Sequence, residues 1–111
     1  MKNYISNETI SPLEAKAEEV AATLAAMANP KRLVVMCTLL GGEKSVGELA
    51  EIVQLSPAAL SQHLALLREE GIVTTRRESQ TIYYRIVDHA AMRVIETLAE
   101  LFCPPEMRKH A

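Results

Sequence analysis

Three hydrogen-bonding side chains follow one another at Ser61, Gln62 and His63, within the segment LSPAALSQHLALLREEGIV. A helical wheel separates an apolar stripe (Leu60, Leu64, Leu67) from an opposite stripe of small and polar residues (Ala58, Ser61, Gln62, Ala65). Solvated helix faces usually carry Glu and Lys, whereas small donors and acceptors suit close contact with another surface. Ser and Gln can hydrogen-bond to base edges in the major groove of DNA, so the pattern predicts a DNA-reading helix.

Thiol chemistry is available at two positions only, Cys37 and Cys103, which lie 66 positions apart. This separation excludes the C-x-x-C arrangement of a thioredoxin-like enzyme. A cysteine is commonly a small buried hydrophobic residue, and the residue types alone favour that interpretation for both. A transient redox pair remains the alternative, because a reducing compartment makes a permanent disulfide unexpected.

Capping and breaking signals divide the chain into five helices. The predicted helices are residues 12–27, 30–40, 45–53, 56–71 and a last helix that begins after Asp88 and ends before Pro104-Pro105. Ser45 and Glu48 match the S-x-x-E capping box, and Ser56-Pro57 supplies an N-cap followed by a first-turn proline. Only two residues separate the third and fourth helices, which predicts a helix-turn-helix.

After Gly71 the pattern changes to β-branched and aromatic runs. The stretch IVTTRRESQTIYYRIV predicts a hairpin with about five residues per strand and a turn around residues 78–80. A hairpin directly after such a helix is a wing. The predicted fold is therefore mainly α (α+β): a winged helix-turn-helix of five helices, with a two-stranded β-hairpin inserted before the last helix.

The predicted DNA contacts lie at the starts of the third and fourth helices and on the wing. They are Ser45, Ser56, Pro57, Ala58, Ser61, Gln62, His63, Arg76, Arg77 and Gln80. Ala58 suits a thymine methyl group, and Ser56 at the helix N-terminus suits a phosphate. His63 lies near the apolar stripe, so packing and a backbone contact are both open. The alternatives are a helical module that binds protein, and wing arginines that are merely solvated.

Length and charge set further bounds. A chain of 111 residues forms one domain, and its net charge of −2 argues against a non-specific nucleic-acid coat. No apolar run approaches the roughly 20 residues of a membrane span, which predicts a cytoplasmic protein without a membrane partner. We expect a flexible arm at residues 1–11, the domain at 12–103 and a tail at 104–111. The apolar terminal helices predict a homodimer.

The motifs ANPKRLVVM, LSPAALSQHLALLREEGIV and RRESQTIYYRI, taken together, resemble the ArsR/SmtB family of winged-helix repressors over roughly residues 13–103. The resemblance implies a transcriptional repressor rather than an enzyme, although a small thiol enzyme is an alternative from another class. It also implies a dimer that binds double-stranded DNA at an imperfect inverted repeat and is released by an effector.

Many members of this family sense metals, but this sequence lacks their ligands. The stretch SVGELA from Ser45 has no cysteine, and Asp88 and His89 are followed by no further histidine in the last helix. Zinc requires about four ligands, so no metal or other cofactor is predicted. A repressor that senses a metal or another ligand elsewhere remains an alternative.

Cysteines on the second and last helices resemble the branch of the family that responds to sulfide and persulfide. In that branch reactive sulfur species or oxidants join two thiols through a disulfide or polysulfide, and DNA is released. The resemblance implies that Cys37 and Cys103 form this redox-sensing pair. We expect the link to change the spacing of the recognition helices relative to major grooves about 34 Å apart.

Overall fold

The computed structural model describes residues 7–102, which form five helices and a three-stranded antiparallel sheet with the strand order β1-β3-β2. The helices are α1 (Asn7–Met27), α2 (Pro30–Leu39), α3 (Val46–Val53), α4 (Pro57–Glu69) and α5 (His89–Phe102), and the strands are β1 (Lys44–Ser45), β2 (Val73–Glu78) and β3 (Thr81–Ile86). The predicted winged helix-turn-helix is confirmed. Within these residues no helix has both the length and the apolarity to cross a membrane.

The core lies where α2, α3, α4 and α5 meet the base of the hairpin. Its largest fully buried side chains are Met36, Leu49, Leu60, Leu64, Leu67, Ile72, Ile95 and Val35. Each large apolar side chain buried in this way contributes about 1.5–3 kcal/mol. The predicted leucine stripe of α4 is therefore confirmed, and it fixes which face of α4 is left outside.

Side-chain caps begin the helices where the sequence places them. The Asn29 carboxamide accepts from the backbone N–H groups of Lys31 and Arg32 at the start of α2. Ser56 Oγ accepts from Ala59 N at 3.1 Å, and Asp88 Oδ2 accepts from Ala91 N at 2.8 Å. These bonds satisfy first-turn donors that have no partner within the helix.

The connection between α3 and α4 is short because Gln54 adopts a left-handed conformation with φ of 58°. Lys31 reaches across from α2 and donates through Nζ to Val53 O at 3.0 Å. A cation at the last carbonyls of a helix also offsets the negative end of its dipole. The hydrogen bond from Lys31 of α2 therefore stabilises the turn, in addition to the backbone conformation of the turn itself.

Helix α1 begins at Asn7, five residues before the predicted start at residue 12, so the predicted arm of residues 1–11 is too long. Pro12 lies inside α1, where it removes one backbone donor without preventing the preceding turn from remaining helical. The rest of the predicted arm, residues 1–6, and the predicted tail, residues 104–111, lie outside the described residues.

The predicted two-stranded wing has a third strand. In β1, Lys44 pairs with Tyr84 and Ser45 with Tyr83 of β3. A strand of two residues is too short to show an alternating pattern, which is why the sequence did not reveal it. The strands of the hairpin have six residues each, and Ser79 in the turn has a positive φ of 59°.

We expect Ser45→Ala to lower the free energy of unfolding by about 1 kcal/mol, the usual contribution of an N-cap. Ser45 Oγ accepts from Glu48 N at 3.1 Å, and Ser45 N donates to Glu48 Oε1 at 2.7 Å, so the predicted capping box is confirmed. Denaturant titration measures the change. Ser61→Ala, at an exposed mid-helix position, is the matched control, and an equal loss in both variants would contradict the assignment.

Candidate nucleic-acid interface and cysteine site

The outer face of α4 consists of short side chains. Ala58, Ser61, Gln62 and Ala65 are all exposed, as the helical wheel predicts. Ser56 and Pro57 are exposed at the start of the helix. Because Pro57 has no N–H and Ser56 Oγ accepts from Ala59 N, Ala58 N is the first-turn donor left without a partner within residues 7–102. A single phosphate oxygen could bind there.

A shallow depression lies between α4 and the wing. It is lined by Ser61, Ala65, Arg68, Glu69 and Tyr84. Arg68 and Tyr84 were not among the predicted DNA contacts. The helical spacing of Ser61, Ala65 and Arg68 places them on one face and could have identified Arg68, whereas the position of Tyr84 depends on how β3 packs.

The two faces of the wing carry different arginine side chains. Arg76 pairs with Tyr83 and Thr75 with Tyr84 across β2 and β3, so Arg76 lies on the face of Tyr83. Side chains alternate along a strand, which places Arg77 with Thr75 and Tyr84 on the face that adjoins the depression. Arg77 is exposed, and Gln80 is exposed in the turn. The positive charge of the wing nearest α4 therefore belongs to Arg77.

Arg76, by contrast, is held by two carboxylates. Its guanidinium donates to Glu43 through Nη2 at 2.7 Å and through Nε at 3.1 and 3.2 Å, and to Glu78 through Nη1 at 3.1 Å. It also lies 4.6 Å from the centre of the Tyr83 ring. The hydrogen bonds that Arg76 donates to Glu43 and Glu78 raise its pKa above the ordinary value. These contacts anchor the wing to the loop after α2, and they engage Nε, Nη1 and Nη2 of Arg76 with carboxylates of the same domain.

The Glu43–Arg76 pair should make the stability of the fold depend on pH. The hydrogen bond from Arg76 lowers the pKa of Glu43, so the pair stabilises the fold above the ordinary pKa of a glutamate and stops doing so as the pH falls through the lowered value. We expect Glu43→Gln to lower the melting temperature at neutral pH, with a difference from wild type that shrinks on acidification. Glu51→Gln, at an exposed position of α3, is the control. A difference that is constant with pH would contradict the prediction.

Two further predicted contacts are engaged within the domain. Ser45 is half-buried, and its hydroxyl oxygen caps α3. His63 is half-buried and contacts Arg32 of α2, with 3.2 Å between His63 Nδ1 and Arg32 Nη1. The side chain of His63 therefore points toward the α2 side of α4, between its core face and its outer face.

Cys37 lies in the third turn of α2, half-buried and packed against the core. Helix α2 packs against α5, and Leu40 lines a shallow depression together with Ala99 and Glu100 of α5. Cys103 lies outside the described residues. Of the predicted thiol pair, the structure therefore describes Cys37, which lies on a helix that contacts α5.

Residues 29–75 match the family model described as "Bacterial regulatory protein, arsR family". The chain is 49% identical over 94 residues to the biofilm growth-associated repressor of Agrobacterium fabrum, covering 85% of this chain and 80% of that protein. It is 44% identical over 94 residues to the transcriptional activator HlyU of Vibrio cholerae, covering 85% of this chain and 87% of HlyU.

Solved structures show the same similarity. Reduced HlyU from Vibrio cholerae superposes with a TM-score of 0.80 at 44% identity, covering 84% of this chain and 98% of that structure. The transcriptional repressor BigR from Xylella fastidiosa superposes with a TM-score of 0.78 at 40% identity, covering 90% of this chain and 99% of that structure. Both the sequence and the fold of this chain are thus similar to those of transcription regulators.

Proposed function

This chain belongs to the arsR family of bacterial regulatory proteins, and we propose that it is a homodimeric repressor whose release from DNA is controlled by a dithiol. Its fold and relatives are those of DNA-binding transcription regulators and not of enzymes. The finer points of the proposal are the inverted-repeat operator, the dimer, and the sulfur chemistry at Cys37 and Cys103. Since the proposed partner is chromosomal DNA, we place its action in the cytoplasm.

The outer face of α4 is the single observation that carries DNA reading. Its leucine stripe is buried, so Ser61 and Gln62 must face outward, and their short side chains allow the helix to approach base edges closely. Arg68 at the end of α4 and Arg77 on the adjoining wing face flank this surface and can neutralise phosphates on either side. The position of these side chains and their positive charge together suit α4 in the major groove and the wing along the DNA backbone.

Apolar side chains on the terminal helices support a dimer. Helix α1 exposes Leu13, Val20 and Leu24. On α5, Val94 is also exposed, and Leu101 and Phe102 are 68% and 78% exposed. Monomeric proteins seldom leave so many large apolar side chains in water, and a second copy would cover them by two-fold symmetry. Two α4 helices related by that symmetry would read the halves of an inverted repeat.

The cysteine proposal rests on the contact between α2 and α5. In α5 the buried residues Ala91, Ile95 and Ala99 recur every four positions, and position 103 continues the same series in the sequence. On α2, Cys37 lies about one turn before the C-cap residue Leu40, which lines the same depression as Ala99 of α5. Among the relatives of known structure, BigR at 40% identity is a transcriptional repressor, and one structure of HlyU is of the reduced protein.

The bridging chemistry balances with a persulfide, RSSH, as the oxidant. One cysteine thiolate attacks the outer sulfur of RSSH and becomes a cysteine persulfide, releasing RSH. The second thiolate attacks the inner sulfur of that persulfide, which forms the disulfide and releases hydrogen sulfide. If a second equivalent of RSSH first converts the other cysteine to a persulfide and releases RSH, the terminal sulfur of one cysteine persulfide attacks the inner sulfur of the other. This forms a trisulfide, which spans a longer distance, and releases hydrogen sulfide. The sulfane sulfur of RSSH is reduced and the two thiols are oxidised.

Retardation of a DNA fragment from the promoter of its own gene tests the proposal. We expect the reduced protein to retard this fragment in the presence of excess unrelated DNA, and to sediment as a dimer. A monomer, or a protein that prefers neither DNA, would contradict the proposal. Because relatives include both a repressor and an activator, transcription in vitro from the same promoter distinguishes repression, which we expect, from activation.

A further inference from the structure

Arg32 contacts the C-terminal end of α1 and the middle of α4. Its Nε donates to Ala26 O, one of the last carbonyls of α1, which have no partner within their own helix. Its Nη1 lies 3.2 Å from Nδ1 of His63 on α4. Arg32 itself is half-buried and is placed by the start of α2, where its backbone N–H donates to Asn29. The guanidinium is thus fixed by α1 at one end and meets α4 at the other.

The chemistry of this contact determines which nitrogen of the His63 imidazole carries the proton. A guanidinium has only donors and keeps its proton, so Nδ1 of His63 must accept with a lone pair. A histidine whose Nδ1 accepts in this way is neutral and carries its proton on Nε2. Arg32 therefore fixes both the tautomer and the orientation of the His63 ring.

The remaining N–H of His63 points out of the domain. Within residues 7–102 no side chain or carbonyl accepts from Nε2 of His63, and no buried side-chain nitrogen or oxygen there lacks a partner. Nε2 must therefore reach solvent. His63 directly follows the exposed Gln62 on α4, so this donor lies at the edge of the proposed DNA-reading face.

We infer that Arg32 is a positioning residue for DNA binding, which holds His63 so that its Nε2–H donates to a phosphate oxygen of the DNA backbone. The inference rests on the proposed function and deepens it. Phosphate is the acceptor expected at the rim of a reading helix, because base edges lie under its centre and the backbone lies to its sides. Prior fixation by Arg32 removes the rotamer and tautomer freedom that the ring would otherwise lose on binding.

Nitrogen NMR of isotope-labelled histidine tests the link without DNA. We expect wild type to show Nδ1 unprotonated and Nε2 protonated in a sharp signal, which His63→Ala removes and so assigns. Arg32→Met should shift this signal toward the average of both tautomers. Lys31→Met is the matched control, because it removes a neighbouring cation that donates to Val53 O instead, and it should leave the signal unchanged. A protonated Nδ1 in wild type, or a signal indifferent to Arg32→Met, would overturn the inference.

A double-mutant cycle tests positioning, with a labelled duplex that the wild-type protein selects from a random library as the probe. We expect Arg32→Met to weaken binding about tenfold when His63 is present and less than about twofold in the His63→Ala background. Equal factors in both backgrounds would show that Arg32 acts through the fold alone. If wild type selects no duplex, the proposed function and the phosphate contact both fail, while the NMR result still decides the Arg32–His63 link.

Discussion

Replacing Cys37 or Cys103 by serine is expected to yield a protein that binds its operator as wild type does but keeps the DNA when glutathione persulfide is added. Wild type should bind between about 5- and 150-fold more weakly after the same treatment, the range of typical allosteric coupling. The physical reason is that a bridge needs both sulfurs, whereas the serine oxygens cannot join the chain of sulfur atoms. Fluorescence anisotropy of labelled operator measures the affinities.

Mass spectrometry of the same samples assigns the response to the pair. Wild type should contain a peptide in which Cys37 is linked to Cys103 by a disulfide or a longer sulfur chain, and the single variants should not. Peroxide in place of persulfide shows whether the switch responds to reactive sulfur alone or to oxidants in general. Release of DNA from the double serine variant would mean that other residues bind the effector.

Ser61→Glu is expected to abolish specific binding, with a loss of at least about 100-fold in affinity. A carboxylate at Ser61 would face base acceptors and phosphates in the groove, and like-charge contacts at an interface cost several kcal/mol, where each 1.4 kcal/mol is about tenfold. The substitution is at an exposed position, so thermal unfolding should be nearly unchanged. Binding to operator DNA is again measured by anisotropy.

Val87→Glu is the control for Ser61→Glu. It adds the same charge at an exposed position beyond the end of β3, at the opposite end of the hairpin from its tip. We expect an effect below about threefold, because a charge more than a Debye length from the phosphates is screened at physiological salt. Similar losses in the two variants would indicate an effect of net charge and would remove the assignment of α4 as the reading helix.

Local signals in the sequence predicted most of the fold. The caps at Ser45, Ser56 and Asp88 lie where the structure has them, because an N-cap and the donor that it accepts from are three residues apart. The leucines of α4 are buried for the same reason: their spacing follows the helical period. These features are complete within one or two turns of chain, so a single sequence contains them.

What the sequence did not predict depends on contacts between distant positions. Glu43 and Arg76 are 33 residues apart, and Arg32 and His63 are 31 apart, so neither partner indicates the other. The first pair removes Arg76 from the free cations of the wing, and the second gives His63 a role that its position on the helical wheel left open. Tyr84 joined the candidate interface only because the hairpin packs against α4 through β2.

Methylation of guanine N7 by dimethyl sulfate along the operator tests the central claim most directly, because this atom lies in the major groove. With the reduced protein, the account predicts two protected segments in successive major grooves on one face of the duplex, about 10 base pairs apart, that both disappear after persulfide treatment. Unprotected guanines in a complex that retards the DNA, or protection that persists after the cysteines are bridged, would contradict it.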